Sequence, residues 1–175
     1  MNKRLIARAR RVRLAIFDVD GVMTDGTLHL DKHGEQVKAF NILDGLGLKM
    51  LAASGVGLAL LSGRKSSAVA LRARETGITY VLQGSTDKLQ AYRSLLRKLK
   101  LAEEETSFMG DDLPDLPVLR RCGLAFSVPD APQIVRSHAH YVTAIAGGRG
   151  AVREACEFLM RAQGTLEAQL ATYLR

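Results

Sequence analysis

Leu14-Ala15-Ile16-Phe17-Asp18-Val19-Asp20-Gly21-Val22-Met23-Thr24-Asp25-Gly26 opens on an apolar run and breaks off in two carboxylates one residue apart. A short, fully apolar run bounded by turn signals reads as a buried central strand. Gly21 and Gly26 let the backbone turn sharply straight after the acids. In open α/β sheets ligands bind beyond the carboxyl ends of such strands. Asp18 and Asp20 therefore stand at the mouth of a crevice, close enough to share a cation. Two acids that close are costly unless a metal or a proton offsets their repulsion. The same residues also suit a solvated strand-to-loop turn, where Asp and Gly are common.

The chain has 175 residues, enough for one domain with a substantial core. Its 47% hydrophobic and 25% charged content is that of a soluble globular protein. A net charge of +7 points to an anionic partner. Nucleic acid is disfavoured, because only 5% of residues are aromatic and there is no Trp to stack on bases. A phosphorylated, carboxylated small molecule suits the charge as well. Cys122 and Cys156 lie far apart in apolar surroundings, without metal-type spacing, and read as reduced core thiols of a cytoplasmic protein. No apolar run reaches transmembrane length, so no membrane partner is expected. Residues 1–13 are basic and lack the apolar centre of a signal peptide, which makes them a helical lead-in or a frayed arm; a transit peptide is the weaker alternative, since the first strand follows with no spacer.

Beyond Gly26 the segment Thr27 to Phe40 alternates about a turn at Asp31-Lys32-His33-Gly34 and reads as a β-hairpin, with His29 and His33 as exposed bystanders. Strands are expected at Val56–Leu61, Ile78–Leu82, Thr106–Gly110, Gly123–Ser127 and, at an edge, Tyr141–Thr143. Helices are expected at Leu46–Ser54, Ser66–Thr76, Asp87–Lys100, Leu116–Arg121, Pro129–His138 and Ala151–Gln163. Gly147-Gly148-Arg149-Gly150 reads as a glycine hinge leading into a helical tail over 147–175. Alternating strands and helices imply a three-layer α/β/α sandwich on a mainly parallel, Rossmann-like sheet with right-handed crossovers.

Three more sites carry chemistry. Ser62-Gly63 can donate a hydroxyl to a phosphoryl oxygen, or simply turn the chain. Lys88 opens a helix, where its ammonium can lie against an anion, or decorate the surface. Gly110-Asp111-Asp112 with Asp115 supplies hard oxygens of the kind Mg²⁺ prefers, or caps a helix.

Together with Asp18-x-Asp20-Gly21-x-x-Thr24 these residues resemble, in order, the four motifs of the haloacid-dehalogenase-like phosphohydrolases, from Leu14 to about Gln163. Thr24-Asp25-Gly26 resembles the branch acting on phosphates of eight- and nine-carbon keto-sugar acids. The resemblance implies a Mg²⁺-dependent phosphatase in which Asp18 is the nucleophile and Asp20 the general acid and base. Mg²⁺ is then held by Asp18, the Asp20 backbone carbonyl and Asp111, with Asp112 and Asp115 as further ligands or as holders of metal-bound water. Ser62 and Lys88 are implied to grip phosphate. Arg64, Asp44 and Thr24 stand on the substrate side: Arg64 for a carboxylate or a surface salt bridge, Asp44 for sugar hydroxyls or as a helix cap. Arg149 is a residue that can reach an active site. The implied substrate is 3-deoxy-D-manno-octulosonate 8-phosphate. The alternatives are a nine-carbon sialic-type 9-phosphate, a broader range of sugar phosphates, or a non-catalytic assembly module related to sugar-nucleotide synthetases. The gaps between motifs leave no room for a cap domain, and the branch's homotetramers imply that neighbouring subunits cover each site. Leu43 stands where that branch's pattern has a basic residue.

Overall fold

The structure is a computed structural model that describes residues 3–30, 32 and 36–174. Its strands, in chain order, are β1 (Leu14–Phe17), β2 (His29–Leu30), β3 (Gln36–Val37), β4 (Gly57–Leu61), β5 (Tyr80–Leu82), β6 (Thr106–Met109), β7 (Leu124–Ser127) and β8 (Tyr141–Val142). Its α-helices are α1 (Lys3–Arg10), α2 (Ile42–Ala53), α3 (Ser67–Thr76), α4 (Lys88–Leu99), α5 (Leu116–Leu119), α6 (Gln133–Arg136), α7 (Ala151–Gln163) and α8 (Leu166–Ala171).

β1 is buried at all four positions, as a parallel strand covered on both faces must be. It lies between β4 and β6 in a six-stranded sheet of order β5-β4-β1-β6-β7-β8 in which every pairing is parallel. The chain runs outward from β1 through β4 to β5, then returns to the other side of β1 to build β6, β7 and β8. That reversal beside β1 opens a crevice above its carboxyl end. α1, α2, α3 and α7 pack together as one outer layer, and α4 packs with α5 in the other. The core runs from Leu14, Ile16 and Phe17 through Leu58 and Leu60 to Phe108 and Phe126. α1 joins this core through Ala9, so the basic lead-in is an ordered helix over that span.

Three expectations shift. α2 begins at Ile42 rather than Leu46 because the Asn41 side chain accepts from Leu43 N at 2.8 Å and caps it. Gly45 and Gly47 interrupt its apolar pattern, but they sit where a Cβ would run into Arg72 and Arg153. The helix expected over Pro129–His138 is only Gln133–Arg136, since Pro132 delays its start. The glycine segment expected to be a hinge is instead packed against the loop after β1: Gly148 N donates to Val22 O at 2.9 Å. A Cβ on Gly147 would collide with Gly21 O.

β2 and β3 pair antiparallel as a separate two-stranded flap. His29 is exposed on it, while Asp31, His33 and Gly34 of the expected turn, and Glu35 after it, lie outside the described residues. Among the described residues the connection from β1 to α2 holds only this flap, and that from β4 to α4 only α3 and β5, with no cap between them. No described helix is long and apolar enough to cross a membrane.

Candidate active site

Asp18 is the residue at which β1 stops. Its N–H still continues the ladder to Met109 O at 2.9 Å, so the backbone carrying its carboxylate is locked to β6. The side chain is 8% exposed, and Oδ2 receives the Lys88 ammonium at 2.8 Å. Lys88 is the first residue of α4, which Asp87 caps by accepting from Gln90 N at 2.9 Å. The same ammonium donates to Asp115 Oδ1 at 2.6 Å. Burial alone pulls the Lys88 pKa down, but Asp18 and Asp115 outweigh it and leave it above its usual value. The group is a fixed positive charge at the floor of the crevice.

Asp115 is wholly buried, and its other oxygen accepts from the N–H groups of Asp111 and Asp112 at 3.0 and 3.2 Å. One carboxylate therefore brackets both Lys88 and the loop after β6. Asp112 is exposed and spends Oδ1 on Leu113 N at 2.7 Å. Asp111 lies against Gly21, whose φ of +82° suits glycine and whose missing Cβ leaves room for the Asp111 carboxylate.

Carboxylate oxygens of Asp18, Asp111 and Asp115 lie within 4.8 Å of one another. Burial, then the Asp115 charge, pushes Asp18 up to about 7 against the pull of Lys88. Burial, then Asp18 and Asp115, pushes Asp111 up to about 8. Asp111 Oδ1 is buried with no hydrogen-bond partner among the described residues. Crowded carboxylates with an orphaned oxygen fit a hard divalent cation such as Mg²⁺. Asp18 and Asp111 are the side chains with oxygens to spare for it; Asp115 already has three donors.

Ser62 follows β4 and is buried, with Oγ accepting from Arg64 N at 3.3 Å. Arg64 is exposed, and its side chain has no partner among the described residues. Asp20, Ser62, Arg64, Lys88, Asp111, Asp112 and Asp115 line one cleft of about 410 Å³ with Asp18. Ser85 and Thr86 line it too, from the loop before α4, and nothing in their local sequence marked them. A larger hollow of about 540 Å³ lies at the other end of the strands, around Leu14, Gly57 and Gln163. It holds no cluster of acids, so the smaller cleft is the one with chemistry.

Two residues expected on the substrate side stand elsewhere. Thr24 is buried, and its hydroxyl braces the turn, accepting from Gly21 N at 3.4 Å and Gly26 N at 3.3 Å. Asp44 is buried and caps neither its own helix nor the cleft: Oδ1 accepts from Arg153 N at 2.8 Å, in the first turn of α7. Its pKa is raised by burial, against the pull of the α7 backbone. Arg149 reaches Asp25 Oδ2 at 3.7 Å on the outer side of the same loop. Lys38, beside β3, was not singled out from sequence; its ammonium is paired with Asp20 Oδ1.

A family profile described as haloacid dehalogenase-like hydrolase matches residues 72–153. The 3-deoxy-D-manno-octulosonate 8-phosphate phosphatase KdsC of Escherichia coli K12 is 46% identical over 163 residues, which covers 93% of this chain and 87% of that one. The crystal structure of 3-deoxy-D-manno-octulosonate 8-phosphate phosphatase from Moraxella catarrhalis in complex with magnesium ion, phosphate ion and a KDO molecule superimposes with a TM-score of 0.96. It is 40% identical, with 99% of each chain covered. The phosphatase of the same name from Yersinia pestis gives a TM-score of 0.93 at 45% identity, covering 95% of this chain and 90% of that one.

Proposed function

Because the chain belongs to the haloacid dehalogenase-like hydrolases, among the 3-deoxy-D-manno-octulosonate 8-phosphate phosphatases, we propose that its cleft hydrolyses that sugar phosphate through Asp18. The observation that carries the reading is the meeting of a buried nucleophile-type carboxylate, a fixed ammonium and two further acids at the end of β1.

Asp18 attacks phosphorus; a bond from its oxygen to phosphorus forms as the bond to the sugar oxygen breaks. Asp20 gives its proton to that departing oxygen. In the second half, water adds to phosphorus, Asp20 takes the water's proton, and the Asp18–phosphorus bond breaks. The enzyme is restored, with sugar acid and phosphate as products. Ser62 and Lys88 hold the phosphoryl oxygens, and Lys88 keeps Asp18 aimed at the cleft floor. Asp18, Asp111 and the Asp20 carbonyl would hold Mg²⁺, which would supply positive charge against the phosphoryl group. Arg64, exposed on the rim, meets the substrate carboxylate with its fork of donors.

The whole chain acts as one catalytic domain in the cytoplasm, a reducing compartment that suits its two free, buried cysteines. It assembles as a homotetramer. The flap and the segment leading to it expose Leu28, Leu30 and Val37, and Ile42 and Leu43 are exposed at the start of α2. Large apolar side chains exposed in that number suit an interaction surface. A monomer at micromolar concentration on sizing would refute the assembly.

Phosphate release from 3-deoxy-D-manno-octulosonate 8-phosphate, measured with Mg²⁺, with chelator and with Asp18→Asn, tests the function. Release should need both metal and Asp18. Release that survives the Asp18→Asn change would refute the mechanism. Equal turnover of every sugar phosphate offered would refute the substrate.

A further inference from the structure

Lys38 comes off the flap just after β3, beside an exposed Val37, yet its side chain is only 4% exposed. Burying an ammonium is costly unless it is paired. Its one partner among the described residues is Oδ1 of Asp20. That pair joins the flap to the loop that follows β1, across 18 residues of sequence. Asp20 itself is a quarter exposed and lines the cleft.

An ammonium has three donors and no acceptor, so the oxygen it touches can only accept. With Lys38 on Oδ1, the proton that Asp20 donates or receives is confined to Oδ2. We infer that Lys38 is a positioning residue for the general acid: it fixes the Asp20 carboxylate and selects the oxygen that exchanges protons with the sugar oxygen and with water. The inference rests on the phosphatase reading above. It gives the flap a second task besides assembly, because the segment that presents Leu28, Leu30 and Val37 outward also carries the cation that sets Asp20. Displacing a catalytic group by about 1 Å can cost on the order of a hundredfold in rate.

The test is a double-mutant cycle with 3-deoxy-D-manno-octulosonate 8-phosphate, using Lys38→Met, Lys38→Gln, Lys38→Arg, Asp20→Asn and the Lys38→Met, Asp20→Asn pair. A melting curve for each variant identifies any that fails to fold, and Lys38→Gln stands in if Lys38→Met does. Expected is a fall in kcat of about ten- to a hundredfold for Lys38→Met, with KM within about threefold. Partial rescue by Lys38→Arg is expected, and less than a twofold further loss when Lys38→Met is added to Asp20→Asn. A rise in KM at unchanged kcat would overturn the inference, since Lys38 would then touch substrate. An equal loss with and without the Asp20 carboxylate would overturn it too, because the lysine would then act through the fold. A folded wild type inactive on this sugar phosphate would refute the phosphatase reading itself, and the role given to Lys38 with it.

Discussion

Chelating the metal should make stability fall as pH rises, and restoring Mg²⁺ should abolish the fall. The cause lies in Asp18 and Asp111, whose folded pKa values stand at about 7 and about 8 against an ordinary value of 3.8. Between about pH 4 and those values the folded, metal-free chain holds protons that the unfolded chain has released. Stability therefore decreases as pH rises across that window, and levels off only above the folded values. Each pH unit separating a folded from an unfolded pKa is worth about 1.4 kcal/mol. From pH 5.5 upward Asp18 contributes about 2 kcal/mol and Asp111 about 3.5 kcal/mol before each reaches its folded value. The two acids share their mutual repulsion, so these contributions do not add, and across the assayed range the site is worth about 3–4 kcal/mol. For a chain of this length that corresponds to roughly 6–16 °C in Tm. A divalent cation held by these carboxylates would replace the protons and satisfy Asp111 Oδ1, so the loaded protein should melt at nearly constant temperature over the same range. His140 works in the opposite direction, because burial lowers its pKa and favours the neutral ring. It lies outside the site in both metal states and cancels from the difference between them. The assay is thermal melting from pH 5.5 to 8.5 with chelator and with excess Mg²⁺. The gap between the two curves should widen steadily with pH. A gap that is constant, or that narrows, would refute the placement of the cation among these carboxylates.

Single contacts make three more outcomes testable. Asp44→Ala should cost about 2 kcal/mol, as a lost helix cap does, and leave KM unchanged, with Asp44→Asn recovering most of the loss; a raised KM would show that Asp44 meets substrate instead. Gly147→Ala should lower both Tm and kcat, because the added Cβ drives into Gly21 O and shifts the loop bearing Asp20; unchanged kinetics would mean that the segment does not brace that loop. Arg64→Ala should raise KM for the keto-sugar acid phosphate about tenfold or more, the loss of one charge-assisted pair, while sparing a phosphate ester without a carboxylate. Steady-state comparison of the two substrates decides it.

The alternation of strands and helices was legible because each element carries its own period. An apolar run ending in Asp18, a helix opening at Lys88 and a strand delivering Asp111 are patterns a few residues long. The parallel sheet then brings those strand ends to one edge, so the chemistry could be placed before any contact was known. The start of α2 was not legible, because Gly45 and Gly47 break its apolar spacing; only the arginines of α3 and α7 explain them. The glycines at 147 and 148 look the same in sequence whether they confer motion or close packing, and their contact with Gly21 and Val22 decides for packing.

By itself the sequence determined the fold class, the nucleophile-type carboxylate at the end of β1 and the acids that surround it, since these depend on local pattern and on the rule that strand ends share a crevice. Tertiary structure alone decided how the acids divide their work. Asp115 serves as a bracket because Lys88, 27 residues earlier, and the Asp111 and Asp112 amides all fall within its reach. Asp44 caps a helix 109 residues away, and Lys38 meets Asp20 across the base of the flap. A side chain's type can be read along the chain, but its role here is set by which buried donor or charge arrives beside it, and that partner is chosen by the packing of elements distant in sequence.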